Sequence, residues 1–180
     1  VTETDAIVAR TRRWIERAVI GLDLCPFAGR PYRAGTVGYV VSAARDADEL
    51  ARDLETELRR FAATPPTELE TTLLIHPHAL EDFLAYNDFL DVAEALLESL
   101  DLADDIQIAS FHPDYRFADA APDAIENYTN RSPYPLLHLL RCASVERAIA
   151  AFGDTARIYE ANITALRRLG FAGWRALDAD

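Results

Sequence analysis

Nine consecutive residues, Asn127-Tyr128-Thr129-Asn130-Arg131-Ser132-Pro133-Tyr134-Pro135, hold two amides, one guanidinium, four hydroxyls and two prolines, with no aliphatic side chain. Proline stiffens the backbone, so polar groups in such a stretch can be held in place. The fork of Arg131 suits a phosphate or a carboxylate. Asn127 and Asn130 would add amide donors, and Tyr134 a hydroxyl. The bland reading of the same residues is a rigid structural loop whose arginine pairs with Asp114, Asp119 or Asp123.

Two histidines, His76 and His112, each precede a proline. Each also falls at the end of a run that reads as a strand. Placed together they could serve as a general acid and base, or as metal ligands. Alternatively, each merely caps its strand and bonds the segment that follows. Cys25 precedes Pro26 and could be a nucleophile or a soft metal ligand if a strand-end histidine approached it. Most free cysteines are instead small buried apolar residues. His138 lies in the apolar run Leu136-Leu137-His138-Leu139-Leu140 and reads as a core histidine. Asn87 falls between Phe83 and Leu90 on what reads as the inner face of a helix. No P-loop, GxGxxG, GxSxG, HExxH or EF-hand pattern is present.

These groups depend on the elements that carry them. Ile7, Val8, Thr11, Trp14, Ile15, Ala18 and Val19 recur at helical spacing, predicting a helix over 4–20 that ends near Gly21. Residues 22–35 read as a loop. Strands are predicted over 37–42, 70–76 and 106–112. Asp46 with Glu49 opens a helix to about Ala62. Another helix is predicted over 78–100, its inner face formed by Leu80, Phe83, Leu84, Leu90, Ala93 and Leu97. Residues 114–128 are irregular. A short helix is expected from Pro133 or Pro135 to Arg141. Two C-terminal helices follow, capped by Ser144 and Asp154, the second ending at Gly170. Phe171, Trp174 and Leu177 suggest a tail that packs down.

At 180 residues, with 50% hydrophobic and 27% charged residues, the chain reads as one globular domain, 1–180. The net charge is −12, and all 18 basic residues are Arg. That balance argues against nucleic acid, whose affinity rests on neutralised phosphates, and against an anionic membrane surface. A small anion could still bind near Arg131. No apolar run approaches the roughly 20 residues of a membrane span. The polar, acidic opening is unlike a secretory signal, and two cysteines, Cys25 and Cys142, are too few for a disulfide framework. A cytoplasmic setting is expected.

Several phrases occur together in order: Cys25-Pro26-Phe27-Ala28, residues 70–77 (ETTLLIHP), residues 86–91 (YNDFLD), residues 109–113 (ASFHP), and Asn127 through Arg141. In this arrangement the chain resembles a bacterial family of unknown function, DUF1415, over about residues 10–170. The resemblance implies a single-domain soluble bacterial protein and implies no activity. Cys142 stands where the family pattern has an acidic residue, and Leu136 where it has Met. Neither departure touches the polar loop.

The expected fold is therefore α/β, with a small, mainly parallel β-α-β-α-β sheet flanked by helices. An α+β arrangement with a mixed sheet is the alternative. Parallel sheets gather ligands at the carboxyl ends of their strands. The expected site unites His76, His112, Cys25 and residues 127–134 there, with the two histidines within roughly 15 Å of each other. The expected function is an enzyme performing hydrolysis or group transfer on a small anionic substrate. Arg131, Asn127, Asn130 and Tyr134 would bind it, His76 and His112 would move protons, and Cys25 would act as nucleophile. A non-catalytic metal- or ligand-binding protein using the same pocket, and a protein-interaction module, are the alternatives.

Overall fold

The computed structural model describes residues 2–178. Helix α1 spans Glu3–Trp14 and opens on a capping box. Thr2 accepts from the Asp5 amide while the Asp5 carboxylate accepts from the Thr2 amide. Its continuation, Ile15–Ile20, is wound as a π-helix, a widened turn that often marks a functional region. The predicted loop after it contains a short helix, α2 (Gly29–Ala34). Then come β1 (Val37–Val41), α3 (Ala47–Ala63), β2 (Thr71–Ile75), α4 (Phe83–Ser99), β3 (Ile106–Phe111), a 3₁₀ turn at Ile125–Thr129, β4 (Leu136–Arg141), α5 (Cys142–Phe152) and α6 (Ala156–Leu177). Gly170 interrupts α6 with φ 67°, ψ 173°. The helix expected to stop there does break, and a further helical stretch resumes beyond it.

The sheet is mixed, and this corrects the mainly parallel expectation. Its order is β1-β2-β4-β3. β1 and β2 pair in parallel, whereas β4 lies antiparallel to both β2 and β3. The segment expected to be a short helix is thus β4, a central strand. Periodicity cannot separate a short buried strand from a helical turn when leucines fill both faces. Its pairing decides the matter. The chain returns from β3 through a long irregular loop with no crossover helix, which permits an antiparallel partner. β2 and β3 still run in the same direction, because each opposes β4. Their carboxyl ends therefore lie on one edge of the sheet, separated by one strand.

Two layers cover the sheet. On one side Leu50, Leu54, Leu58 and Phe61 of α3 form an i, i+4, i+8, i+11 stripe. They pack with Tyr86, Phe89, Ala93 and Leu97 of α4 against Leu74, Leu137 and Leu139. Each of the four α3 side chains is fully buried, and burial of such a side chain contributes about 1.5–3 kcal/mol. On the other side Ile7 and Trp14 of α1, with Ile15 and Ala18 of its π-helical continuation, pack on Leu73, Ile75 and Leu136, and Trp174 and Leu177 of α6 join them. Of the expected inner face, Leu80, Phe83, Leu90, Ala93 and Leu97 all pack in this layer, where Tyr86 and Phe89 join them. Leu84 is 68% exposed and Asn87 is exposed, while Tyr86 is buried. Asp82 caps the helix by accepting from the Ala85 amide, so His78 precedes the helix, which starts five residues later than predicted.

Candidate functional site

The carboxyl ends of β2 and β3 place His76 and His112 on the α4 side of the sheet. Both rings pack against one phenol. The Tyr86 ring centroid lies 5.8 Å from that of His76 and 5.0 Å from that of His112. The backbone of the polar loop passes between the two histidines. The His76 amide donates to Pro135 O at 3.0 Å, and the His112 amide donates to Asn130 O at 3.2 Å. β4 thus joins the two histidine-bearing ends that were expected to be direct neighbours.

Both imidazoles are fully buried, and each is tied to the turn after β2. His76 Nδ1 bonds Ala79 O at 2.9 Å, and His112 Nε2 bonds Leu80 O at 3.2 Å. The Asp114 amide donates to His112 Nδ1. This fixes the His112 proton on Nε2. Leu80 holds φ 56°, a left-handed conformation that costs a leucine roughly 1–2 kcal/mol. The two histidines hold consecutive carbonyls of this strained turn. Burial pushes the His76 imidazole down to about 4, and burial also lowers that of His112. Both are therefore neutral near pH 7. His76 Nε2 remains a buried nitrogen with no hydrogen-bond partner.

The polar loop divides its side chains. Asn127, fully buried, accepts from the Phe117 amide and donates to Ala121 O. Asn130 donates to Ser110 O. Both amides are spent on the backbone. Arg131 donates Nε to Tyr115 O at 3.3 Å and Nη2 to Pro122 O at 3.0 Å, and its guanidinium lies 4.2 Å from the Tyr128 ring centroid. Among the described residues no carboxylate pairs with it.

Arg131 faces a different space from the histidines. It lines a pocket of about 240 Å³ on the α1 side, with Arg10, Trp14, Tyr128, Trp174 and Asp178 among the other walls. Trp14 comes from the end of α1 and Trp174 from beyond the Gly170 break. Tyr128 meets the Trp174 ring edge-to-face at 5.2 Å. Trp14 is 8% exposed, and its indole Nε1–H is buried without a partner. Tyr134 stands behind Arg10, with the guanidinium 5.3 Å from its ring. Apart from Tyr128, the walls that Arg131 meets here were not linked to it in the sequence: Arg10 and Trp14 lie more than a hundred residues before it, Trp174 and Asp178 more than forty after it. A larger hollow of about 390 Å³ follows α6 between Arg157 and Arg168. All its walls come from that one helix, so no second element encloses it.

Cys25 follows the π-helix on the α1 side. Its neighbours tie to the C-terminal helices: Leu24 O accepts from Asn162, and the Phe27 ring meets that of Phe152. Burial raises the thiol above its ordinary value, which keeps it protonated. It lies in the other layer from the histidines. His138 faces the same side. Its Nε2 bonds Thr71 Oγ1 at 2.6 Å, and Thr71 in turn donates to Leu139 O. Among the described residues no three His, Cys, Asp or Glu side chains are grouped so as to hold a metal ion. Among them, too, no helix is long and apolar enough to cross a membrane.

The chain belongs to the family described as protein of unknown function, DUF1415, whose model matches residues 6–176. No curated protein and no solved structure matches it.

Proposed function

We propose that this protein binds a small anionic molecule in the pocket between α1, the polar loop and α6, with Arg131 and Arg10 as its charged partners. The observation that carries this reading is Arg131. It is a partly buried guanidinium with no carboxylate partner among the described residues, in a chain of net charge −12. The carbonyls that fix its position are neutral, so its charge is left for a ligand. The Trp14 indole, which lines the same pocket, carries a buried N–H with no partner.

The pocket contains both tryptophans of the chain, so intrinsic tryptophan emission reports on it alone. Titration with acetate, benzoate and inorganic phosphate should change that emission saturably for at least one of them. Arg131→Gln, with its fold checked by thermal melting, should weaken that response roughly tenfold, the loss of one charge-assisted contact. A response unchanged in Arg131→Gln, or no response to any of the three, removes the reading.

A catalytic form, hydrolysis or group transfer, would have to rest on His76 and His112 moving protons without Cys25, which lies in the opposite layer with its thiol held protonated. Its support rests on one atom, His76 Nε2, a neutral, buried and unpartnered proton acceptor. The binding reading needs no such relay, since both imidazoles lie across the sheet from the pocket.

A further inference from the structure

The carboxylate of Asp178 is one wall of the anion pocket, and it is bound there as a ligand would be. Arg10 Nε donates to Asp178 Oδ1 at 2.9 Å, and Arg10 Nη2 donates to Oδ2. This is the two-pronged pairing of a guanidinium with a carboxylate. Arg13 and Arg17 also favour the charged form of Asp178, and Arg17 donates to Leu177 O at 3.1 Å. Positive charge therefore converges on this point of an acidic chain. The pair is not locked in: the side chains of Arg10 and Asp178 are 38% and 45% exposed.

Three aromatic rings, those of Trp14, Tyr128 and Trp174, stand among the remaining walls with Pro113, Ser132 and Leu177. The guanidinium of Arg131 is stacked on Tyr128. At about 240 Å³ the pocket falls below the roughly 300–1,000 Å³ of pockets that take drug-sized ligands. That leaves space for one ring and its acid group, and it excludes a nucleotide. Building on the anion-binding reading, we infer that the ligand is a small aromatic carboxylate whose acid group replaces that of Asp178 on Arg10 while its ring lies among the two indoles and Tyr128. Asp178 is then a built-in occupant that the ligand displaces. A planar fork prefers a planar carboxylate, and indole faces reward a flat ring.

The test uses the full chain and four probes: benzoate, cyclohexanecarboxylate, acetate and inorganic phosphate. Tryptophan emission is followed in the parent protein, Asp178→Asn, Arg10→Gln and the double variant. Benzoate should bind most tightly of the four. Asp178→Asn should tighten it about fivefold, the scale of an exposed ion pair removed from competition. Arg10→Gln should weaken benzoate roughly tenfold, and in that background Asp178→Asn should change nothing. Thermal melting establishes that each variant is folded. Benzoate binding that is unchanged or weakened by Asp178→Asn overturns the displacement. Phosphate or cyclohexanecarboxylate binding as tightly as benzoate overturns the aromatic carboxylate, while leaving an Arg131-dependent anion site standing. Silence from all four probes in every folded variant overturns both readings.

Discussion

Acidification from pH 7 to pH 4 is expected to remove about 3 kcal/mol of folding stability through His76 alone. An imidazole that titrates near 6.5 in the unfolded chain is pushed down to about 4 in the fold, chiefly by burial. Between those values the unfolded chain binds a proton that the folded chain refuses. Stability therefore rises with pH across this window. The contribution is fully present above pH 6.5 and is lost progressively as the pH falls to about 4. At about 1.4 kcal/mol per pH unit the loss is several kcal/mol. His112 and His138 are shifted the same way and steepen the slope. Asp5 and Asp178, held below the usual carboxylate value of 3.8, act only at lower pH and do not confuse the window. Urea unfolding at pH 7, 5.5 and 4 reads the effect, and His76→Gln should remove the His76 share, about 3 kcal/mol, leaving the slope that His112 and His138 contribute. A parent protein equally stable at pH 7 and pH 5 would sink this account of the buried histidines.

Replacing Tyr86 should cost even more. Its ring is fully buried between both histidines and Phe83. Its hydroxyl joins two strands, donating to Leu136 O at 2.8 Å and accepting from the Phe111 amide at 2.9 Å. Tyr86→Phe keeps the ring but leaves a buried N–H and C=O facing an apolar edge, a loss of about 1–3 kcal/mol. Tyr86→Ala adds a cavity at the centre of the layer, for a total of about 4 kcal/mol or more. Equilibrium denaturation distinguishes the two. If Tyr86→Phe lost less than about 0.5 kcal/mol, within the range of an ordinary surface change, the hydroxyl would not be tying β3 to β4.

Strands β1, β2 and β3 were legible because each announces itself chemically. Val37–Val41, Thr71–Ile75 and Ile106–Phe111 are short apolar or β-branched runs bounded by turn residues, and each lies within a residue of its expected limits. β4 was not legible. Leu136–Arg141 carries leucine on both faces because a central strand is covered on both sides, and that pattern also suits a buried helical turn. Its insertion between β2 and β3 converts an expected parallel sheet into a mixed one. The start of α4 misled for a local reason: Pro77 looked like a strand terminator followed at once by a helix, while the cap that opens the helix is Asp82.

The site was legible in part. His76 and His112 were placed at strand ends by their prolines, and both reach Tyr86. What lay hidden was the side of the sheet each group faces. Arg131 stood out by composition, but its setting depends on Arg10, Trp14, Trp174 and Asp178, which only the docking of α6 against α1 assembles. No local pattern encodes that meeting. Asn127 shows the opposite case. Its amide was read as a ligand donor, yet it folds residues 117–122 around itself.

The central claim is a pocket, walled by two indoles, in which the Arg131 guanidinium awaits an anion, and nuclear magnetic resonance of the two indole N–H groups tests it most directly. With ¹⁵N-labelled protein, the chain's two tryptophans give two indole signals, assigned by Trp14→Phe and Trp174→Phe. Benzoate at the midpoint of the parent protein's titration should shift both indole signals, that of Trp174 through the ring of the bound ligand, and the same concentration should shift them far less in Arg131→Gln, whose midpoint lies roughly tenfold higher. Indole signals that stay fixed as benzoate saturates, or that shift equally without Arg131, would contradict the account.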